Sequence, residues 1–204
     1  MSREVVIFGC GGHAVSVADV LLSRSPGAKL TFVDDNAREN EKLFGFEVIK
    51  FLPSEEYASK ECFVAMGDNE KRQALSRNLG QSALIRIVSF SANLRRDVRI
   101  GRGVFVANEA YIGPLSDIGE GAIVNTGAQL DHEVELEPYS QIAPAAVIGG
   151  RTHIGERAFV GIGARVIDGI DIHSDVIIGA SATVVDDITE PGTYVGTPAR
   201  KISG

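Results

Sequence analysis

The stretch that decides the fold is residues 142–160, which read IAPAAVIGGRTHIGERAFV. A large aliphatic residue stands at every sixth position of this stretch, from Ile142 to Val160. The same spacing continues in both directions without a slip, and fifteen such residues lie between residues 100 and 184. Counted from each aliphatic residue as the first, the fifth residue of every hexapeptide is small or β-branched, as at Ala146.

This six-residue period excludes an ordinary amphipathic helix, because 3.6 residues per turn would carry positions six apart to different faces. It predicts a parallel β-helix in which three hexapeptides form one triangular coil, with the first and fifth residues facing inward. The period does not fix the handedness of the coil. Glycine follows the aliphatic residue in seven hexapeptides, as at Gly101, and we expect these corners to need φ above zero. A β-sandwich is the alternative, although its alternating strands would be broken by turns of varying length.

Composition limits the classes of function. The chain has 204 residues, of which 44% are apolar, so it is able to bury a substantial core. The net charge of −7 argues against nucleic acid or an anionic membrane as the main partner. Its two cysteines are far apart, no apolar run is long enough to span a bilayer, and the histidines and cysteines lack metal-ligand spacing. We therefore expect a reduced, cytoplasmic protein without a metal.

The amino-terminal part follows a different pattern. An apolar strand at residues 4–8 runs into the glycine turn GCGGHA and then a helix that stops at Pro26. A second strand at residues 30–33 completes a βαβ unit of an open parallel sheet. Further strands are predicted at residues 46–51, 62–66 and 84–88, and further helices after residues 53–54 and 68–69. The sequence thus predicts a Rossmann-like α/β domain over residues 1–85, and the β-helix with a carboxy-terminal tail over residues 86–204.

The glycine turn matches a dinucleotide-binding fingerprint through Gly9, Gly11 and Ala14, and the pair Asp34-Asp35 follows at about the expected distance. Such a turn lets a ligand approach backbone amides at a helix N-terminus, while carboxylates after the next strand accept hydrogen bonds from ribose or base. The alternative is a tight strand-to-helix connection that binds nothing.

In the β-helix, His132 is the best candidate for a catalytic base. Imidazole is the side chain whose ordinary pKa lies nearest neutrality, and Asp131 or Glu133 could orient it and stabilise its protonated form. The other two histidines of this region, His153 and His173, lack carboxylates on both sides in the sequence. The alternative is a solvated surface histidine.

Together these motifs carry a family resemblance. The hexapeptides, the Asp131-His132-Glu133 sequence and the closing VGTPAR at residues 195–200 resemble the left-handed β-helix acyltransferases. With the glycine turn and the sequence MGDN at residues 66–69, the whole chain is similar to one branch of them. That branch contains the nucleotide-sugar 4-amino N-acetyltransferases of the bacillosamine and perosamine pathways and the sialic acid O-acetyltransferase-like proteins. The resemblance is specific for the fold and for acetyl-CoA, and less specific for the acceptor.

The resemblance implies roles for individual residues. His132 would be the general base, Glu133 would raise its basicity, and Asn125 would contact the acceptor amine or the acetyl group. The nucleotide of the sugar substrate, and not NAD, would be bound by Gly11, Gly12, His13, Asp34, Asp35 and Gly67. Acetyl-CoA would lie in a groove between two columns, near Gly150, Ile162 and Ala180. Gln141 stands where some relatives carry a second histidine that contacts the cofactor, so this cofactor contact is open.

We therefore expect an acetyltransferase that modifies the 4-amino group of a nucleotide-linked amino-deoxysugar, of the UDP-4-amino-4,6-dideoxysugar type. O-acetylation of a sialic acid or sugar hydroxyl, and a non-catalytic nucleotide-sugar scaffold, are the alternatives. The nucleotide base and the stereochemistry of the sugar are open. The resemblance also implies a homotrimer with its active site between subunits, and we expect the aromatic residues Phe105, Tyr111, Tyr139 and Phe159 to be exposed on its faces.

Overall fold

The computed structural model describes residues 3–80 and 84–202 and divides them between an α/β unit and a parallel β-helix. The strands of the α/β unit are β1 Glu4–Phe8, β2 Lys29–Val33, β3 Lys42–Leu43, β4 Phe46–Ile49 and β5 Glu61–Val64. Its helices are α1 Gly12–Arg24, α2 Ser54–Tyr57 and α3 Asn69–Leu79. Within the described residues, no helix combines the length and the apolar composition that a membrane crossing requires.

The sheet of the α/β unit has the strand order β3-β4-β2-β1-β5, and only β3 runs antiparallel to its neighbour. The chain leaves β1 towards β2 and β4, then returns to the other side of β1 as β5, so the switch point lies between β1 and β5. The predicted strand at residues 84–88 is only partly correct, because Leu84 makes a single bridge to Cys62 and the next strand already belongs to the β-helix.

The β-helix is a triangular column with three walls. The eight-stranded wall contains β6 Ile87–Val88, β9 Phe105–Val106, β12 Ile123–Val124, β15 Gln141–Ile142, β18 Phe159–Val160, β21 Val176–Ile178, β23 Gly192–Val195 and β24 Arg200–Ile202. The six-stranded wall contains β7 Asn93–Leu94, β10 Tyr111–Ile112, β13 Gln129–Leu130, β16 Val147–Ile148, β19 Arg165–Val166 and β22 Thr183–Val184. The five-stranded wall contains β8 Arg99–Ile100, β11 Asp117–Ile118, β14 Glu135–Leu136, β17 His153–Ile154 and β20 Asp171–Ile172.

Each coil takes three hexapeptides, so residues 18 apart pair in parallel register, as Leu130 does with Ile148. From Val104 to Ile188 the first and fifth residues of every hexapeptide are buried, which confirms the predicted inward positions. The walls meet at three corners, each named here for one residue. The Asn125 corner follows the eight-stranded wall, the His132 corner follows the six-stranded wall, and the Tyr139 corner follows the five-stranded wall.

The prediction of positive φ at the glycines after the aliphatic residues was wrong. Positive φ occurs instead at the fourth residue of every hexapeptide from Asp97 to Ser181, with values from 55° to 71°. The glycine in second place is required by close approach of the next coil. A Cβ built on Gly101, for example, would lie 2.7 Å from the backbone nitrogen of Glu120.

The α/β unit packs against the eight-stranded wall near its amino-terminal end. Outward-facing Phe105 and Ile123 are buried there in one apolar cluster with residues of the sheet and α1. The expectation that Phe105 and Tyr139 are exposed was therefore wrong, because Phe105 is 0% and Tyr139 is 3% exposed. Tyr111 and Phe159 are half-buried.

Candidate active site

The His132 corner is held by a short network of hydrogen bonds. Glu133 Oε2 lies 2.9 Å from Nδ1 of the His132 ring. The ring's Nε2 has no hydrogen-bond partner among the described residues. Asp131 does not orient the ring, because its Oδ1 accepts the backbone N–H of His132 at 2.8 Å. One carboxylate thus holds the imidazole while the other shapes the turn.

Gly150 and Ser116 also support His132. Gly150 was predicted to bind the cofactor, and Ser116 was not predicted. The His132 ring lies over Gly150, where an added Cβ would come within 2.5 Å of Cε1 and 2.7 Å of Nε2. Ser116 is 1% exposed, and its hydroxyl donates to the carbonyl of Asp131 and accepts the backbone N–H of Val134, each at 3.2 Å. The available signal in the sequence was a polar residue, Ser116, at the fifth position of its hexapeptide, which is predicted to face inward.

His153 corrects one expectation from the sequence. It was expected to lack two carboxylate neighbours, yet Nδ1 lies 2.9 Å from Asp171 Oδ1 and Nε2 lies 3.4 Å from Glu137 Oε1. Asp171 lies in the next coil and Glu137 lies in the preceding coil, so both carboxylates are neighbours of His153 in space and not in sequence. Burial lowers the pKa of His153, but hydrogen bonds to Asp171 and Glu137 outweigh it and raise the pKa above its ordinary value.

The other residues predicted for catalysis and for the cofactor divide between two corners and one wall. Gly150 lies at the His132 corner, one coil beyond His132. Asn125, Ile162 and Ala180 lie at the Asn125 corner, at the other side of the six-stranded wall. Gln141 faces outward from the eight-stranded wall, is 9% exposed, and its Oε1 is buried without a hydrogen-bond partner in the described structure. One chain therefore does not bring Asn125 to His132.

A cleft of about 810 Å³ opens at the switch point of the α/β sheet. All six residues predicted to bind the nucleotide line it: Gly11, Gly12, His13, Asp34, Asp35 and Gly67. Helix α1 begins at this cleft without a side-chain cap and without an acidic residue in its first turn. Its N-terminus therefore favours a negatively charged ligand.

The two acidic residues after β2, Asp34 and Asp35, have different roles. Asp34 Oδ2 accepts the backbone N–H of Cys10 at 2.8 Å, and its Oδ1 accepts the N–H of Asn36 at 2.9 Å, so Asp34 fixes the glycine turn. Asp35 is exposed and makes no hydrogen bond among the described residues, which leaves its carboxylate available to a ligand. Gly9 in the same turn has φ +107°, and a Cβ there would lie 2.9 Å from the carbonyl oxygen of Ala65.

His13 and Arg72 connect the cleft to the column. Burial, with the charge of Arg72 added, lowers the pKa of His13 to about 4, so its ring is neutral at neutral pH. The ring meets Phe105 of the eight-stranded wall edge-on at 5.1 Å, and its Nε2 has no partner within the residues described. Arg72 is 1% exposed and donates to the carbonyls of Met66, Gly121 and Tyr139 at 2.8 to 2.9 Å. These bonds fix the loop before α3 to two successive coils.

Several residues of the cleft were not found from the sequence, and three of them bear on what it can bind. Lys50 and Lys71 line the cleft together with Asp35 and supply positive charge there, and Phe51 lines it with 76% of its surface exposed. Lys71 lies in the first turn of α3, directly after the predicted Gly67 loop, and this position was the available signal. In the described part of the chain, no three His, Cys, Asp or Glu side chains gather as a metal site would require.

The chain is similar to known proteins in both sequence and structure. Residues 4–79 match the PglD N-terminal domain family. GDP-perosamine N-acetyl transferase from Caulobacter crescentus, in a complex with CoA and GDP-perosamine, is 35% identical with a TM-score of 0.90, covering 98% of this chain and 97% of that chain. The acetyltransferase domain of PglB from Neisseria gonorrhoeae, in complex with acetyl coenzyme A, is 29% identical with a TM-score of 0.90, covering 99% and 100%.

A further relative comes from a virus. Protein L142 of Acanthamoeba polyphaga mimivirus is 33% identical over 125 residues, or 61% of this chain, and the match takes up about 25% of the viral protein's length. The structural similarities identify the fold as an amino-terminal parallel sheet followed by a left-handed parallel β-helix.

Proposed function

The chain belongs to the hexapeptide-repeat sugar N-acetyltransferases of the PglD and PerB type, and we propose that it acetylates the 4-amino group of a nucleotide-linked amino-deoxysugar with His132 as the general base. The observation that carries this proposal is the His132 corner. There Glu133 holds one ring nitrogen, and the other has no partner among the described residues. Asn125 would contact the acceptor amine or the acetyl group.

The chemistry requires one proton acceptor. A thioester is already activated, so no acyl-enzyme is needed when the amine is held in line with the carbonyl carbon. His132 takes the proton that the amine loses as the C–N bond forms, and Glu133 stabilises the resulting imidazolium. When the C–S bond breaks, the CoA thiolate receives that proton and His132 returns to its neutral form. Cys62 is buried and Cys10 lies in the glycine turn, so neither thiol is placed for an acyl-cysteine route.

The cleft supports a nucleotide sugar as acceptor. The N-terminus of α1, Lys50 and Lys71 supply positive charge for phosphates, and Asp35 supplies an acceptor for ribose or base. A UDP-4-amino-4,6-dideoxysugar is the acceptor type we propose. Because the Caulobacter relative was solved with GDP-perosamine, GDP sugars belong in the same substrate panel.

The position of the cleft implies that a second chain completes the site. The α/β unit packs against the amino-terminal end of the eight-stranded wall, whereas His132 lies at the corner between the other two walls. In a triangular column that corner is opposite the eight-stranded wall. A nucleotide sugar held in the cleft of one chain would therefore meet His132 of another chain.

A threefold assembly fits this requirement. If the six-stranded walls of three columns face a common axis, the His132 corner of each chain meets the Asn125 corner of the next, and the ring closes. This contact would bring His132 and Gly150 of one chain to Asn125, Ile162 and Ala180 of its neighbour. Acetyl-CoA would occupy the groove between those corners, and Gln141 stays a predicted cofactor contact.

The distribution of apolar surface supports the same contact. Six exposed large apolar residues lie on the six-stranded wall or its two corners: Phe90, Leu115, Val147, Ile162, Ile167 and Val185. Among the described residues, the five-stranded wall faces outward with charged or titratable side chains alone: Arg99, Asp117, Glu135, His153 and Asp171. Exposed apolar surface marks interaction sites, so the six-stranded wall is the proposed interface.

Subunit mixing tests the proposal. His132→Ala removes the base, and Gly12→Val fills the cleft at a position where a Cβ meets nothing within 4 Å, so the fold is kept. Each variant alone should be nearly inactive on a panel of UDP-, dTDP- and GDP-linked 4-amino sugars. Mixed assemblies made from equal amounts should regain about one quarter of wild-type activity, because one site in four combines an intact cleft with an intact His132 of its neighbour.

Two results would contradict the proposal. Mixed assemblies with no recovered activity would show that each chain carries a whole site. Acetylation of free sugar hydroxyls in preference to nucleotide-linked amines would replace the N-acetyltransferase assignment. Acetyl-CoA affinity, measured by calorimetry on both variants, is the control. Gly12→Val lies outside the proposed cofactor groove and should leave this affinity unchanged, and His132→Ala removes one ring beside the groove and should leave it nearly unchanged.

A further inference from the structure

Two arginines of the first coil share the corner of His132. Arg95 and Arg96 follow β7 at the His132 corner and are exposed. The backbone there is fixed, because the carbonyl of Arg96 accepts the N–H of Leu115 at 3.0 Å. The Arg95 guanidinium donates to Asn93 Oδ1 at 3.4 Å. Within the described residues no carboxylate forms an ion pair with either arginine, including Asp97 in the same turn.

Arg102 and Arg165 of the column also form no ion pair among the described residues, but they are not adjacent in sequence, and other arginines of the column are paired. Arg99, on the five-stranded wall of the same coil, pairs with Asp117 at 2.7 Å. Arg157 pairs with Asp175 at 2.7 Å, and Arg151 forms an ion pair with Asp168. In a chain of net charge −7, two adjacent guanidinium groups without a carboxylate partner form a local positive site.

The register relates this site to His132. Arg96 occupies the same place in its hexapeptide as His132, two coils earlier, because Leu94 pairs with Ile112 and Ile112 with Leu130. Two strand spacings separate them by roughly 10 Å along the column. The arginines lie on the amino-terminal side of His132, which is the end where the α/β unit packs against Phe105. Gly150, Ile162 and Ala180, the proposed cofactor positions, lie on the other side.

From this arrangement we infer that Arg95 and Arg96 of one chain bind the diphosphate of the nucleotide sugar whose nucleoside is held in the cleft of the neighbouring chain. The inference rests on the proposed function. In a nucleotide 4-amino sugar, one pyranose ring separates the diphosphate from the reacting amine, and long arginine side chains reach along the corner towards that position. Guanidinium groups bind phosphate oxygens through paired, charge-assisted hydrogen bonds, so the pair would fix the sugar relative to His132 of its own chain.

Binding of nucleoside diphosphates and monophosphates tests this inference without catalysis. UDP, GDP and dTDP, each with its monophosphate, are titrated into the wild-type protein, and the best-binding base is kept for the variants. In Arg95→Gln/Arg96→Gln we expect the affinity for the diphosphate to fall about 10- to 100-fold and the affinity for the monophosphate to stay within about twofold. Arg95→Lys/Arg96→Lys should recover part of the loss, because the charge is kept and the fork geometry is not.

The control is Arg99→Gln, which removes one positive charge from the same coil on the five-stranded wall. It should leave both affinities unchanged. CoA and dephospho-CoA are titrated into the same variants, since a phosphate of CoA is the other source of this chemistry. A loss of CoA affinity with the diphosphate affinity unchanged would overturn the inference, and so would a double glutamine variant that still prefers the diphosphate.

The two proposals fail in different ways. If the wild-type protein binds none of the nucleotides, the proposed function and this inference both fail. If it binds them and acetylates a nucleotide 4-amino sugar, but the double variant keeps its preference for the diphosphate and its KM, only the role of Arg95 and Arg96 is overturned.

Discussion

Two histidines of the column, His132 and His153, have the same exposure, with 37% of each side chain accessible, and each lies 2.9 Å from a carboxylate oxygen. They differ at the second ring nitrogen. In His153 both nitrogens face carboxylates, whereas His132 has one such contact and rests over Gly150. His153 stands on a fully charged wall, and His132 stands at a corner flanked by exposed apolar residues. A carboxylate neighbour therefore does not separate the proposed base from His153. The second ring nitrogen, which in His132 has no partner among the described residues, and the apolar surface beside it do.

The largest expected effect comes from removing His132, and removal of His153 is the matched control. His132→Ala should lower kcat by about 10²- to 10⁴-fold, the usual contribution of a positioned base. His153→Ala should change kcat by less than about twofold, since its wall faces away from the proposed interface. Steady-state kinetics over a range of pH, with acetyl-CoA affinity measured in parallel, compares the two.

The comparison would fail if the two variants lost activity equally, or if His132→Ala kept near-normal turnover.

A smaller effect is expected at Gly150. The equivalent positions in neighbouring coils hold Pro114, His132 and Asp168, so the backbone there accepts a side chain. In Gly150→Ala the three atoms nearest to the new methyl group would be His132 ring atoms, at 2.5 to 2.9 Å, and we expect the ring to move away from Glu133. We expect kcat to fall about 10- to 100-fold with Tm nearly unchanged, because misplacement of a catalytic group reduces the rate steeply. Kinetics and thermal unfolding on one sample check this, and full activity would show that the ring does not need this position.

Most of the column was predictable because its structure follows from a short repeat in the sequence. A six-residue period in aliphatic residues leaves few possibilities for the backbone, and the buried positions follow directly. The positive φ at the fourth residue was not predictable, since residues as different as Leu115, Glu133 and Tyr139 adopt it. The coil imposes this conformation on any residue, and the sequence carries glycine where the next coil comes close, as at Gly101.

The site was predictable only where its residues share a motif. The glycine turn, the acidic pair and the MGDN sequence contain the six predicted residues of the cleft, and they converge because the carboxyl ends of parallel strands meet at one edge. Side-chain contacts between coils were not predictable from residues that are adjacent in the sequence, as the pairing of His153 with Asp171 shows. The burial of Phe105 depends on how the α/β unit packs against the column, and this packing could not be predicted from the residues near Phe105 in the sequence.

The smallest expected effects are changes of stability with pH at His153 and His13, and they have opposite signs. For His153 the folded pKa is raised, so its contribution is present below the unfolded pKa of about 6.5 and is lost as pH rises through the folded pKa. For His13 the folded pKa is lowered to about 4, so the unfolded chain binds more protons between about pH 4 and 6.5, and stability is lost as pH falls through that range.

Removal of each ring should therefore flatten opposite ends of the stability curve. His153→Gln should lower Tm at pH 5.5 and have less effect at pH 8.5, while His13→Gln should reduce the fall in Tm between pH 6.5 and 4.5. Solvent screens the His153 pairs, which are more than one third exposed, so for His153→Gln we expect a Tm shift of only about 2 °C. Differential scanning calorimetry of both variants against the wild type, at matched ionic strength, measures these shifts. If His153→Gln changed Tm equally at both pH values, the carboxylate contacts that separate His153 from His132 would have no energetic consequence, and the comparison of the two histidines would rest on position alone.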